Sequence, residues 1–169
     1  MSPVTASRRN FLITSALAGT ALAVPARAAM SDGFTYEVTR SEAEWRALLS
    51  AEQYSVMREG GTELPRNGDL WKDYAEGEFN CRGCDLHVYS SDWRVEIDKG
   101  WIFFGHSEPD AALMSIDYAK DDAMNDTGDA LIETHCRRCG SHLGHIFYVE
   151  DQLVHCINAA SLVRTPKSA

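Results

Sequence analysis

The chain has 169 residues, 25 of them acidic and 16 basic, which gives a formal net charge of −9 at pH 7. This acidic balance argues against nucleic acid or an anionic membrane surface as a partner, because both would be repelled. The length fits one domain with a real but modest core.

The first 28 residues have the pattern of a cleaved export signal. Ser7–Leu12 has the twin-arginine form, an uncharged apolar run covers Phe11–Val24, and Ala26–Ala28 supplies a small-x-small cleavage site. A membrane anchor is the alternative, but the run is shorter than the ~20 residues that a spanning helix needs. We therefore predict that residues 1–28 direct twin-arginine export to the periplasm. Their removal leaves 13 basic and 25 acidic residues, a net charge of −12.

After a linker over residues 29–40, two helices are predicted at the start of a domain that covers residues 41–165. Ser41 and Glu44 have the spacing of a capping box, which marks a helix N-terminus. An apolar stripe follows at i, i+3 and i+4, formed by Trp45, Leu48 and Leu49, and predicts packing against the core. A second helix is predicted over Glu52–Arg58, before glycines and a proline break the pattern.

Downstream of Phe79 the pattern changes to short strands and turns. The predicted strands are His87–Tyr89, Arg94–Ile97, Trp101–Phe104, Met114–Tyr118, Ala130–Thr134, Gly144–Val149 and Val154–Ile157. An acidic stretch between Phe104 and Leu131 predicts loops. Helices followed by strands indicate an α+β domain, mainly β, with antiparallel sheet.

Four of the five cysteines form two Cys-x-x-Cys pairs, Cys81 with Cys84 and Cys136 with Cys139. Two such pairs about fifty residues apart are typical of one four-thiolate zinc site. Two disulfides and a thioredoxin-like redox pair are the alternatives in an oxidising compartment. Neither pair lies between a strand and a helix, which disfavours the redox pair. Zinc loaded in the reducing cytoplasm before export would shield the thiolates.

The fifth cysteine, Cys156, has no partner in this count. It lies near His142, His145 and Asn158 in the sequence, and a lone thiol beside proton donors is a candidate nucleophile. A buried structural thiol is the alternative interpretation.

Five segments of the chain resemble the methionine-R-sulfoxide reductases of the B type, which carry a SelR-like domain. The segments are Tyr54–Pro65, Gly77–Cys84, Gly100–Trp101, Cys136–Phe147 and His155–Leu162. The resemblance implies two antiparallel sheets of the Mss4-like β-tent type, with a structural zinc ion joining two loops. It also implies reduction of peptide-bound or free methionine sulfoxide to methionine, through a sulfenic acid that a thioredoxin-like protein reduces.

The resemblance also implies the roles of single residues. Cys156 would be the nucleophile and His145 the general acid, with His142 and Asn158 positioning water and substrate. Trp101 would pack against the methyl group of the substrate.

The chain departs from the family pattern at several positions. Val154 replaces an arginine, Ile102–Phe104 replaces Pro-Ser-Phe, and Lys99 stands where a recycling cysteine is common. The loop over Ile146–His155 is short and lacks the usual Asp-Gly-Pro, and Glu150 and Asp151 are candidates to replace the missing aspartate. These departures would be explained by the main alternative to the enzyme, a non-catalytic, zinc-stabilised binding module on the same fold. A secreted domain stapled by disulfides is a third and weaker alternative.

Overall fold

A computed structural model describes residues 34–117 and 131–167. The predicted export signal and residues 118–130 of the predicted acidic stretch lie outside these ranges. No helix within the described ranges combines the length and the apolar character that crossing a membrane requires.

Two short helices open the domain, α1 over Glu42–Leu48 and α2 over Ala51–Glu59. The capping box of Ser41 and Glu44 is confirmed, and an equivalent box of Ser50 and Gln53 begins α2. Trp45 and Leu49 are buried, as predicted, but Leu48 is 50% exposed. The prediction for Leu48 was wrong because α1 has only two turns and presents the side of Trp45 and Leu49 to the core.

Nine strands follow within the described ranges. They are β1 Glu78–Cys81, β2 His87–Ser90, β3 Arg94–Val95, β4 Ile102–Phe104, β5 Ala112–Asp117, β6 Leu131–Cys136, β7 His142–Val149, β8 Gln152–Ile157 and β9 Leu162–Thr165. The sequence predicts seven of them with shifted ends. It does not predict β1 and β9, which are four residues long and carry little periodicity.

The strands form two antiparallel sheets, as the family resemblance implies. The smaller has the order β2-β1-β9 and the larger the order β3-β4-β8-β7-β6-β5. The α+β, mainly β class is therefore confirmed. The central strands β4, β8 and β7 of the larger sheet carry the residues around Cys156.

The main core lies between the two sheets and the helices. Tyr89 stacks on Phe104 with ring centroids 4.4 Å apart, and Phe79 meets Phe104 edge-on at 5.1 Å. A second, smaller apolar cluster lies on the other face of the larger sheet and contains Cys156 and Val154. The predicted nucleophile is thus at the edge of this second cluster.

Candidate active site and metal centre

The two Cys-x-x-Cys pairs come together at one end of the molecule. The sulfur atoms of Cys81, Cys84, Cys136 and Cys139 all lie within 4.8 Å of one another. Each pair spans a turn closed by its first carbonyl: Cys81 O accepts from Cys84 N at 3.2 Å, and Cys136 O accepts from Gly140 N at 2.8 Å. All four are free thiols rather than disulfides. They can therefore bind one metal ion, and the predicted ligand set is brought together as a whole.

A side chain of α2, Arg58, supports this cluster. Arg58 donates to the carbonyl of Cys139 at 3.3 Å and to Ser141 Oγ at 3.2 Å. The thiols also contact one another, with Cys81 Sγ 3.7 Å from Cys139 Sγ and Cys84 Sγ 3.5 Å from Cys136 Sγ. The neighbouring thiols lower the pKa of Cys139 and raise that of Cys136. The cluster thus favours a thiolate at Cys139, the form in which cysteine binds metals.

Cys156 lies on β8, with Phe103 of β4 on one side and His145 of β7 on the other. Directly opposed residues in antiparallel strands have Cβ atoms roughly 5 Å apart, so His145 is a neighbour of the thiol. The thiol is 9% exposed, and burial, followed by the charge of Glu63, raises its pKa to about 12. It is therefore protonated near neutral pH.

A small cleft opens over Cys156. Its lining residues are Thr62, Trp101, Gly144, His145, Phe147, Cys156 and Asn158. Four of the five predicted catalytic residues are in this set. The fifth, His142, lies outside the lining, with its ring 5.0 Å from that of His145.

Each of the two histidines is paired with a carboxylate that the sequence analysis did not identify. His145 Nε2 lies 3.2 Å from Asp117 Oδ2, and both side chains are buried. His142 Nδ1 lies 2.7 Å from Glu133 Oε1. Burial opposes ionisation of Glu133, but the hydrogen bond and the charge of His142 outweigh it and lower the pKa to about 2. Carboxylates beside imidazoles fix ring orientation and stabilise the protonated ring.

Trp101 and Asn158 form part of the cleft wall and share a neighbour. Trp101 Nε1 donates to the carbonyl of Glu63 at 3.3 Å, and Asn158 Oδ1 accepts from the backbone nitrogen of Glu63 at 3.1 Å. Asn158 also donates to the carbonyl of Leu143 at 3.1 Å. Its amide is therefore fixed at both ends.

His155, next to the nucleophile in sequence, is not part of the cleft. It faces the main core, where its Nδ1 lies 3.1 Å from the hydroxyl of Tyr89. Burial, aided by the charge of His106, lowers the pKa of His155 to about 4. His155 is therefore buried and neutral, and its contacts indicate a structural role in the main core.

The structure shows what surrounds the positions that depart from the family pattern. Val154 is 1% exposed in the apolar cluster beside Cys156. The short connection over Ile146–His155 is the hairpin of β7 and β8, in agreement with the two strands predicted there. Glu150 and Asp151 form its turn at positive φ, and neither lines the cleft. The expectation that one of them supplies a site carboxylate was wrong, since Asp117 is the carboxylate at His145.

These features combine, on one mainly β scaffold, a four-cysteine cluster that can bind a metal ion with a buried thiol in a cleft beside an imidazole–carboxylate pair. The family model for the SelR domain matches residues 49–166. Peptide methionine sulfoxide reductase B5 from Oryza sativa subsp. japonica is 36% identical over 82% of this chain and 98% of its own length. Peptide methionine sulfoxide reductase MsrB from Thiobacillus denitrificans is also 36% identical, over 76% of this chain and 95% of its own. The chain therefore belongs to the SelR-domain family of peptide methionine sulfoxide reductases, which are oxidoreductases.

Proposed function

We propose that this protein reduces the R epimer of methionine sulfoxide, peptide-bound or free, with Cys156 as the nucleophile. The observation that carries the proposal is the placement of Cys156 directly across the β7–β8 pair from His145. His145 is itself held 3.2 Å from the carboxylate of Asp117. A thiol and a carboxylate-supported imidazole on one wall of a cleft provide a nucleophile and an acid for one reaction.

In the reaction, the sulfur of Cys156 attacks the electrophilic sulfur of the sulfoxide. The thiol proton reaches the sulfoxide oxygen through His145, which gives up one proton and takes one back. The substrate S–O bond then breaks, the oxygen is transferred with that proton to the cysteine sulfur as a sulfenic acid, and methionine leaves as the bond between the two sulfurs breaks. Cysteine sulfur is oxidised by two electrons and the substrate sulfur is reduced by two. Because burial raises the pKa of Cys156 to about 12, we expect the thiol to lose its proton only once substrate is bound.

The remaining predicted residues have supporting roles in this proposal. Trp101 presents an indole face on which the substrate methyl group can pack. Asn158 and His142 orient water and the sulfoxide oxygen. His142 Nε2 is buried and has no hydrogen-bond partner within residues 34–117 and 131–167, which supports this role because a buried polar atom without a partner is costly.

We propose zinc as the ion held by Cys81, Cys84, Cys136 and Cys139. Four cysteine thiolates are a set that zinc prefers, and they leave no open position for substrate. The role of such an ion is structural: its binding free energy adds to the folding free energy of the domain.

The oxidised enzyme needs an outside reductant in this scheme. Lys99 cannot act as a resolving thiol, and the four other cysteines are assigned to the metal. Two electrons from a dithiol of the thioredoxin class would return the sulfenic acid to the thiol and release water. We propose that this occurs in the periplasm after twin-arginine export, on the strength of the N-terminal sequence.

The test is an assay with separate R and S methionine sulfoxide substrates and dithiothreitol. Turnover of R alone is expected, with no activity in Cys156→Ser and a loss of about 10² or more in His145→Ala. His106→Ala removes an exposed imidazole that does not line the cleft, and this matched control should have unchanged activity. Inactivity of the wild type on both epimers, with metal bound, would favour the binding module instead.

Mass spectrometry tests the intermediate. One equivalent of sulfoxide without reductant should add one oxygen, roughly sixteen mass units, at Cys156, where dimedone should trap it. A disulfide between Cys156 and one of the four metal-site cysteines would show that those cysteines belong to the redox cycle.

A further inference from the structure

Glu63 is a buried carboxylate in the segment that follows α2, and the proposed chemistry leaves it without a role. It is 4% exposed, which is unusual for glutamate unless the charge is compensated. In the sequence, Glu63 lies in the segment Tyr54–Pro65, which resembles the family, but no local pattern gives a physical reason for a carboxylate at this position.

The contacts of Glu63 reach both sides of the cleft. Its carboxylate accepts hydrogen bonds from the backbone of Ala159 at 2.5 Å and of Ala160 at 2.9 Å. Its own backbone nitrogen donates to Asn158 Oδ1, and its carbonyl accepts from Trp101 Nε1. One residue therefore fixes the turn after β8, the amide of Asn158 and the indole of Trp101.

We propose that Glu63 is a positioning residue that holds Trp101 and Asn158 at their places in the cleft over Cys156. The inference rests on the proposed function, because it assigns geometry to that reaction. The two carboxylate hydrogen bonds are charge-assisted, and they tie the loop bearing Thr62 to Ala159 and Ala160, the two residues that follow Asn158. Without them, the loop and the cleft wall can move relative to the nucleophile.

The charge of Glu63 gives this proposal a second readout. Burial is the main cause of the raised pKa of Cys156, and Glu63 adds to it. Other titratable groups face Glu63 and Cys156. His145 lies opposite Cys156 on β7. Glu52 of α2 and Arg82 of the turn after β1 act on the charge of Glu63. Removing the charge at Glu63 should lower the thiol pKa even as it disturbs the cleft.

The experiment compares Glu63→Gln and Glu63→Asp with wild type. Glutamine keeps the length but loses the charge and one accepting oxygen. Aspartate keeps the charge but is too short to reach both backbone nitrogens. Glu44→Gln is the matched control, because Glu44 also caps a backbone nitrogen, at 2.8 Å, but at α1. For each protein, kcat/KM on the R sulfoxide and the iodoacetamide alkylation rate of Cys156 are measured between pH 6 and 9.

Both Glu63 variants should lose about ten- to a hundredfold in kcat/KM, since small misplacements of a reacting site have effects of this size. Alkylation of Cys156 should become faster in Glu63→Gln but not in Glu63→Asp, because only glutamine removes the negative charge. Wild-type kcat/KM in Glu63→Gln would overturn the positioning role, and equally fast alkylation in both variants would indicate general opening of the fold. If Glu63→Gln does not fold, Glu63→Asp still decides through kcat/KM. An inactive wild type would instead refute the proposed function.

Discussion

Replacing Glu133 by glutamine removes a carboxylate charge while keeping the shape of the side chain and an oxygen that can accept from His142. Glu133 Oε1 lies 2.7 Å from His142 Nδ1, and Oε2 accepts from Ser115 Oγ at 3.2 Å. The variant therefore isolates the contribution of the charge to the β5–β6–β7 part of the larger sheet.

The magnitude follows from the lowered pKa. A shift of the carboxyl pKa from 4.5 to about 2 corresponds to about 3 kcal/mol of stability at neutral pH. The side chain is 27% exposed, so solvent screening reduces the expected loss in Glu133→Gln to about 1–2 kcal/mol. In a domain of this size that is about 3–8 °C in Tm.

The pH dependence has a defined sign. Because the folded-state pKa lies below the unfolded value, the contribution is complete above about pH 5 and is lost as the pH falls toward 2. Urea unfolding at several pH values measures the free energy of unfolding of wild type and of Glu133→Gln. Loss of metal at acid pH affects both proteins, and it therefore cancels from the difference between their free energies. Glu96→Gln, an exposed glutamate, is the control. Equal stabilities at pH 7, or a difference that stays constant down to pH 3, would refute the assignment.

Three further predictions follow from single contacts. Asp117→Asn should lower kcat by at least tenfold with little change in KM, because the amide cannot stabilise protonated His145; a change in KM alone would contradict this. Cys139→Ser should lose the metal and lower Tm, measured by native mass spectrometry and calorimetry; normal stability without metal would show that the site is not structural. Gly144→Ala should destabilise the fold by about 2 kcal/mol or more in urea unfolding, because a Cβ would lie 2.0 Å from the carbonyl oxygen of Cys156; near-wild-type stability would show that β7 and β8 can separate.

The sequence predicts best where the signal is local. The capping box at Ser41 depends on residues three positions apart, and the structure reproduces it. The metal cluster depends on the short reach of each Cys-x-x-Cys turn and on the chemistry of thiolates, which leaves few alternatives. These features need no knowledge of how distant strands pair.

Features that depend on distant pairing are not predictable in the same way. Strand β1 pairs with β9, so that Cys81 lies opposite Leu162 at the far end of the domain. Asp117 reaches His145 only because β5 pairs with β6 and β6 with β7. No local pattern distinguishes Asp117 from the other acidic residues around it, so its place beside the histidine follows only from the sheet.

The spacing of the two histidines shows how the metal centre and the cleft depend on each other. In a regular strand, side chains alternate between faces, so His142 and His145 would lie on opposite sides. The register of β6 and β7 shifts by one residue, with Leu143 as the extra residue, so that both histidines lie on the face of Cys156. The turn just before this bulge is the one closed by the downstream Cys-x-x-Cys pair. A metal ion bound by the four cysteines would fix the start of β7, and a slip of one residue would turn His145 away from the thiol. In the proposed reaction, such an ion would act on the chemistry through strand register, without contacting the substrate.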